Sequence, residues 1–231
     1  MKYTLNIFFA TLLIHFSFAQ ELHEHACAKS KINNAILQES SHKNLSDQDK
    51  YDLNYVKLDL SLDNLSTTIS RGHATLKGTV TAFTLDIFVC ELESNILVDS
   101  AKINGITVNI NRPGDELQLF SNTVLNQGEA VVADIYYHGA APVSGGFFGG
   151  IFNASSPSWG AKVTWTLSQP FSAHTWWPAK QVLTDKIDSS EVWLTVPNNL
   201  KAGSNGLLIN EVALPGNKTR FEWKHQHMID Y

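Results

Sequence analysis

The chain has 231 residues, 43% of them hydrophobic and 17% charged, with a formal net charge of −5, so it can bury one large core or two small ones. It contains no Lys/Arg-rich run or basic stripe, the feature that neutralises phosphates, and this excludes nucleic acid and anionic membrane surfaces as expected partners. The cysteines Cys27 and Cys90 are too few for a disulfide framework; one bridge is possible, but both read as inert thiols.

Residues 1–19 carry Lys2, an apolar run from Ile7 to Ile14, and the small-x-small ending Ser17-Phe18-Ala19. These are the three parts of a secretory signal peptide. The run is shorter than the roughly 20 residues of a spanning helix. The expected product is secreted or periplasmic, with no membrane insertion once the signal is removed. Residues 20–50 are polar and without sustained period and read as a flexible leader. Within them His23-Glu24-His25-Ala26-Cys27 suggests metal chemistry, but a His-Glu-x-x-His site needs a second imidazole where Cys27 stands.

At Tyr51 the pattern changes to alternation. Tyr51, Leu53 and Tyr55 alternate, then Val56, Leu58, Leu60 and Leu62 alternate in the opposite phase, which predicts a long strand with a bulge. A turn at 63–66 leads to β-branched pieces at 67–69, 72–83 and 85–89. Asn104-Gly105, between Ile103 and Ile106, fits the positive φ angles of a type I′ hairpin. Turns at 112–115 and 126–128 introduce strands at 116–120 and 129–137.

The glycine-rich segment from Ser144 to Phe152 lacks the Lys and Ser/Thr of a phosphate loop. Its Phe147, Phe148, Ile151 and Phe152 predict an apolar flap against a surface or partner. Further strands are expected at 191–196, 207–212 and 219–224. Four sequons, at Asn44, Asn64, Asn153 and Asn217, fit exposed loops.

Between Trp165 and Asp188 bulky aromatics, prolines and short polar residues crowd together without helix or strand period. Such a segment is costly to expose, so it is expected to be an irregular loop packed against the domain. Trp176 and Trp177, followed by Pro178, read as its anchors. Asp185 and Lys186 read as a local ion pair or turn bond.

A strand ending in Tyr137-His138-Gly139, the Gly/Phe flap, Gln169-Pro170, Ala173-His174, Trp176-Trp177-Pro178, Thr184-Asp185-Lys186 and Ser204-Asn205-Gly206 occur in one order. That order resembles the aminopeptidase N family of zinc metallopeptidases, the gluzincin aminopeptidases. The resemblance covers residues 51–231 and only the family's N-terminal β domain. It implies an all-β fold, an antiparallel saddle-shaped β-sandwich. It also implies that Gln169 binds the free α-amino group of a peptide substrate. An amide oxygen accepts from an ammonium group without the charge assistance of a carboxylate; the bland alternative for Gln169 is a loop amide bonded to backbone. The chain departs from the family's motif at His174 for Arg, Ala179 for Cys and Gln181 for Asp.

The family's zinc is held by His-Glu-x-x-His and a later Glu, and this sequence contains no such motif. Catalytic residues and metal ligands are therefore expected in none of these 231 positions, and zinc in a catalytic domain outside the chain. Two functions are open: the N-terminal domain, as a fragment, of a secreted zinc aminopeptidase with that catalytic domain as partner, or a free-standing non-enzymatic β-sandwich for peptide binding or adhesion.

Overall fold

The computed structural model describes residues 45–142, 149–158, 160–168, 171–182 and 184–226; the expected signal at 1–19 and most of the expected leader lie outside them. A single helical turn, α1 (Leu45–Gln48), precedes the strands. Gln48 is 2% exposed, so the last residues of the stretch expected as leader belong to the fold.

The first strand, β1 (Tyr51–Ser61), buries Tyr51, Leu53, Val56, Leu58 and Leu60, and its pairing with β2 (Thr68–Val80) shifts register between Leu53 and Tyr55. The phase change in the sequence is thus a bulge. The pieces expected at 67–69 and 72–83 are one strand that ends at Val80, because Thr81 to Phe83 bend toward β3 (Thr84–Glu91). Next come β4 (Leu97–Ile103) and β5 (Ile106–Thr107), joined through Asn104 at φ 50° and Gly105 at φ 81°, the left-handed pair a type I′ turn requires. They are followed by β6 (Asn109–Asn111), β7 (Glu116–Asn126) and β8 (Ala130–Ala140). The remaining strands are β9 (Gly150–Ser155), β10 (Lys162–Leu167), β11 (Ser189–Pro197), β12 (Leu207–Leu214) and β13 (Lys218–His225).

An eight-stranded sheet runs β12-β13-β11-β1-β2-β8-β4-β5, a three-stranded sheet β3-β7-β6, and β9 and β10 form a separate pair. Leu58, Leu76 and Ile135 of the large sheet share one core with Leu85, Phe88 and Leu119 of the three-stranded sheet. Tyr51 ties the two layers together: its ring stacks on Phe88 at 4.3 Å and its hydroxyl donates to Val89 O at 2.8 Å. The structure is the expected antiparallel β-sandwich, with β11 pairing with β1 in parallel within the large sheet. The irregular connection 168–188 returns the chain to the start of β1, where Asp188 N donates to Asn54 O at 3.0 Å. The next strand then has to run the same way as β1.

Of the glycine-rich flap, residues 143–148 lie outside the described residues. Its end forms β9, where Ile151 is buried and Phe152 stacks on Trp165 of β10 at 5.5 Å. Among the described residues no helix is long and apolar enough to cross a membrane.

Candidate functional site

Among the described residues, the segment between β10 and β11 is irregular except for one 3₁₀ turn, Ala173–Thr175, yet Ala173, Trp177, Ala179, Lys180, Gln181 and Ile187 are buried. Backbone polar groups buried outside a sheet need other partners, and here the end of β3 supplies them. Ala179 and Glu91 exchange two main-chain bonds of 2.9 Å, and Glu93 N donates to His174 O at 2.8 Å. Trp177 joins the core at 2% exposure and Pro178 is buried beside it. Trp176 packs edge-on against Trp177 at 6.3 Å and donates its indole N–H to Ser168 Oγ at 2.9 Å. The two tryptophans are therefore anchors of the loop, with Trp176 only half-buried.

The Asp185 N–H donates to Val182 O at 3.0 Å in a local turn. Its ion pair is with Lys180, the two side chains being 7% and 4% exposed, while Lys186 is exposed. Lys180 Nζ also donates to Tyr51 O and lies 4.5 Å from the Tyr51 ring centroid. Asp185 Oδ2 accepts the Leu53 N–H at 3.0 Å, beside the bulge of β1.

A second network contains residues that sequence reasoning missed. Gln48 Oε1 accepts Gln181 N at 2.7 Å, and Gln48 Nε2 donates to Glu91 Oε1 at 3.2 Å. Burial raises the Glu91 carboxyl above its ordinary value, opposed by the nearby His174 ring and by the Gln48 and Gln181 amides. The polar run around Gln48 gave no sign of this. Gln181 Nε2 donates to Phe171 O at 3.1 Å and to His174 Nδ1 at 2.5 Å. Positions 174 and 181, two of the departures from the family's motif, are thus in contact: where the resemblance implies an Arg and an Asp, this chain has a His–Gln hydrogen bond. Gln169, expected to meet the substrate amine, lies outside the described residues.

Glu93, Asp115 and His174 bring ligand-type atoms within 4.8 Å of one another. They do not fit the zinc site of the resemblance, which needs two imidazoles and a carboxylate. The one ring here is already in contact at Nδ1 with Gln181 Nε2, and Asp115 Oδ1 accepts the Ser94 N–H at 2.8 Å.

Beside the loop lies an open groove of about 520 Å³, floored by Leu60, Leu62, Val192 and Leu194 and flanked by Trp165 and Trp176. Ser204 and Asn205 form part of its rim. Gly206, which completes that tripeptide, has φ +91°, and a Cβ there would lie 2.1 Å from Lys224 O. Only glycine allows the rim to turn into β12.

No protein-family model matches the sequence, and no curated protein matches it. Solved structures do match by shape. An M1 zinc metallopeptidase from Deinococcus radiodurans superposes with a TM-score of 0.67 at 20% identity, covering 76% of this chain and 39% of that one. A mutant of the Deinococcus radiodurans enzyme bound to a Tyr-Ser-Ala substrate gives 0.66 at 19% identity over the same shares. A two-domain M1 zinc metallopeptidase mutant bound to L-arginine gives 0.67 at 20% over the same shares. The chain spans about two fifths of the length of these structures. With its two packed sheets, parallel β1–β11 pair and anchored irregular loop, the chain has the fold of the N-terminal β-sandwich domain of the M1 zinc metallopeptidases, the aminopeptidase N type.

Proposed function

We propose that the chain is the N-terminal β domain of an exported zinc aminopeptidase, an enzyme that removes N-terminal residues from peptides. Its part is to hold a substrate-amine-binding loop and to offer a docking face to a zinc-bearing catalytic domain. The observation that carries this reading is the packed irregular loop, set in a fold shared with M1 zinc metallopeptidases over three quarters of the chain. Trp177, the Glu91–Ala179 bridge and the Lys180–Asp185 pair fix the loop on the C-terminal side of the position of Gln169. The apolar groove beside Trp165 and Trp176 is the docking face in this reading. Export rests on the signal-peptide pattern of residues 1–19.

The test is reconstitution in two chains. The purified chain is mixed with the zinc-loaded catalytic domain of an M1 metallopeptidase, and both association and release of an N-terminal amino acid are measured. The expected result is a complex whose peptidase activity falls on Gln169→Ala while association is unchanged. Failure to associate, together with binding of peptides by the chain alone, would replace this reading with the free-standing peptide-binding module.

A further inference from the structure

We propose that the groove beside the loop receives an extended apolar segment bearing a carboxylate, which adds to the free edge of β10 and places that carboxylate on Lys162. β10 has a strand neighbour on one side only: it pairs with β9, and the two form a separate sheet. Side chains on a strand alternate between its two faces, yet five consecutive residues, Lys162 to Thr166, all line the groove. A groove that touches both faces of a strand runs along its edge. No second strand among the described residues takes up the main-chain groups on that edge, and a row of such groups is a template for another strand.

The edge is held at both ends. At its start Asn64 Nδ2 donates to Lys162 O at 2.8 Å, Thr164 Oγ1 donates to Asn64 Oδ1 at 2.6 Å, and Asn153 Nδ2 donates to Thr164 Oγ1 at 2.7 Å. These bonds tie the β9–β10 pair to the turn after β1. Just past its end the Trp176 indole donates to Ser168 Oγ. From Lys162 to Leu167 an extended chain rises about 16 Å, enough for a partner strand of about five residues. Leu60, Leu62, Val192 and Leu194 floor the groove beside this edge, so alternate side chains of an added strand meet apolar surface while its main chain bonds to β10.

Charge selects the occupant. The chain has a formal net charge of −5, yet among the described residues the only charged ones lining the groove are Lys162 and Lys201. Lys201 is already paired with Glu211. Lys162 takes part in none of the ion pairs of the described residues. Its Nζ donates to Leu65 O at 2.6 Å, which uses one of three hydrogens. Two donors and an uncompensated positive charge therefore stand at one end of an apolar groove. A segment with Asp or Glu at that end meets them, and one with Lys or Arg there is repelled. A fatty acid would match the charge and the floor but leave the strand edge unpaired. That the segment belongs to the catalytic domain rests on the proposed function; the chemistry the groove selects does not.

The experiment uses the full chain and three probes: the blocked peptide acetyl-Glu-Val-Leu-Val-Glu-amide, which offers an acid for either strand direction, its counterpart with Lys at both ends, and laurate. Tryptophan fluorescence gives affinities, and hydrogen exchange gives the protection of the β10 amides that β9 leaves unpaired. The acidic peptide should bind about fivefold more tightly than the basic one at about 20 mM salt and lose that margin near about 1 M. It should also raise protection along the β10 edge at least about tenfold. Lys162→Met keeps an apolar stem and should erase the margin. Equal affinities of the two peptides, no gain in β10 protection, or laurate binding as tightly as the acidic peptide would each overturn the proposal. If Lys162→Met does not fold, the wild-type comparison decides. Binding of the acidic peptide as expected, with no association of an M1 catalytic domain, would sink the proposed function and leave the groove inference standing. Association of that domain with no binding of the acidic peptide would do the reverse.

Discussion

Asp185 Oδ2 accepts the main-chain N–H of Leu53 at 3.0 Å across 132 positions of sequence. A carboxylate of the irregular loop thus takes up a backbone donor at the bulge of β1, and Lys180, bonded to both Asp185 and Tyr51 O, supplies the countercharge. Strand bulge and loop conformation are therefore mutually dependent.

Removing one member of this buried pair leaves an uncompensated charge, so Asp185→Ala should destabilise the chain by about 3–5 kcal/mol. The double replacement Lys180→Met, Asp185→Leu should recover part of that loss. Urea unfolding of the three variants checks both statements; a loss under about 1 kcal/mol for Asp185→Ala would mean the pair is exposed in solution.

The two tryptophans should separate in their effects. Trp177→Ala empties a core site and should cost about 3–5 kcal/mol. Trp176→Phe keeps the ring packing and loses only the bond to Ser168, a cost of about 1 kcal/mol. Thermal denaturation ranks them, and equal losses would contradict the burial difference.

At the groove rim, Gly206→Ala forces both a left-handed φ and a collision with Lys224 O, with an expected cost of about 1–3 kcal/mol. Because the collision is with β13, the loss of hydrogen-exchange protection should be concentrated in the β12–β13 hairpin.

Trp165 is 44% exposed on the groove wall, which is the docking face in the proposed function. Trp165→Ser should cost about 1 kcal/mol of stability through the lost stack on Phe152, and in the proposed complex should weaken binding of the catalytic domain by about 2 kcal/mol or more, some 30-fold. Titration calorimetry showing unaltered affinity would move the docking face elsewhere.

The large sheet contains a source of acid sensitivity. The His73 Nε2 contact at 3.0 Å, with the Thr75 hydroxyl at 2.6 Å, holds the Asp134 carboxyl below its ordinary value, against the opposing effect of burial. A depressed folded value means that the stability is present above the unfolded value, about 3.9, and is lost as pH falls through the folded one. Asp134→Asn should flatten this acid limb of unfolding free energy against pH; an unchanged limb would assign it to other carboxylates.

What the sequence determined by itself is what depends on near neighbours: period-two alternation placed most strands, Asn104-Gly105 the hairpin, the phase change after Tyr55 the bulge, and crowded aromatics without period the buried loop. Its ordered motifs also identified the β-domain fold. Only tertiary structure decided the parallel β1–β11 pairing, because nothing in either strand's pattern records its neighbour's direction. The same holds for the Lys180–Asp185–Leu53 junction, the entry of Gln48 into the fold and the His174–Gln181 contact. These are bonds between single polar groups brought together by the folding of distant segments, and a hydrogen bond between distant residues leaves no periodic trace in either of them.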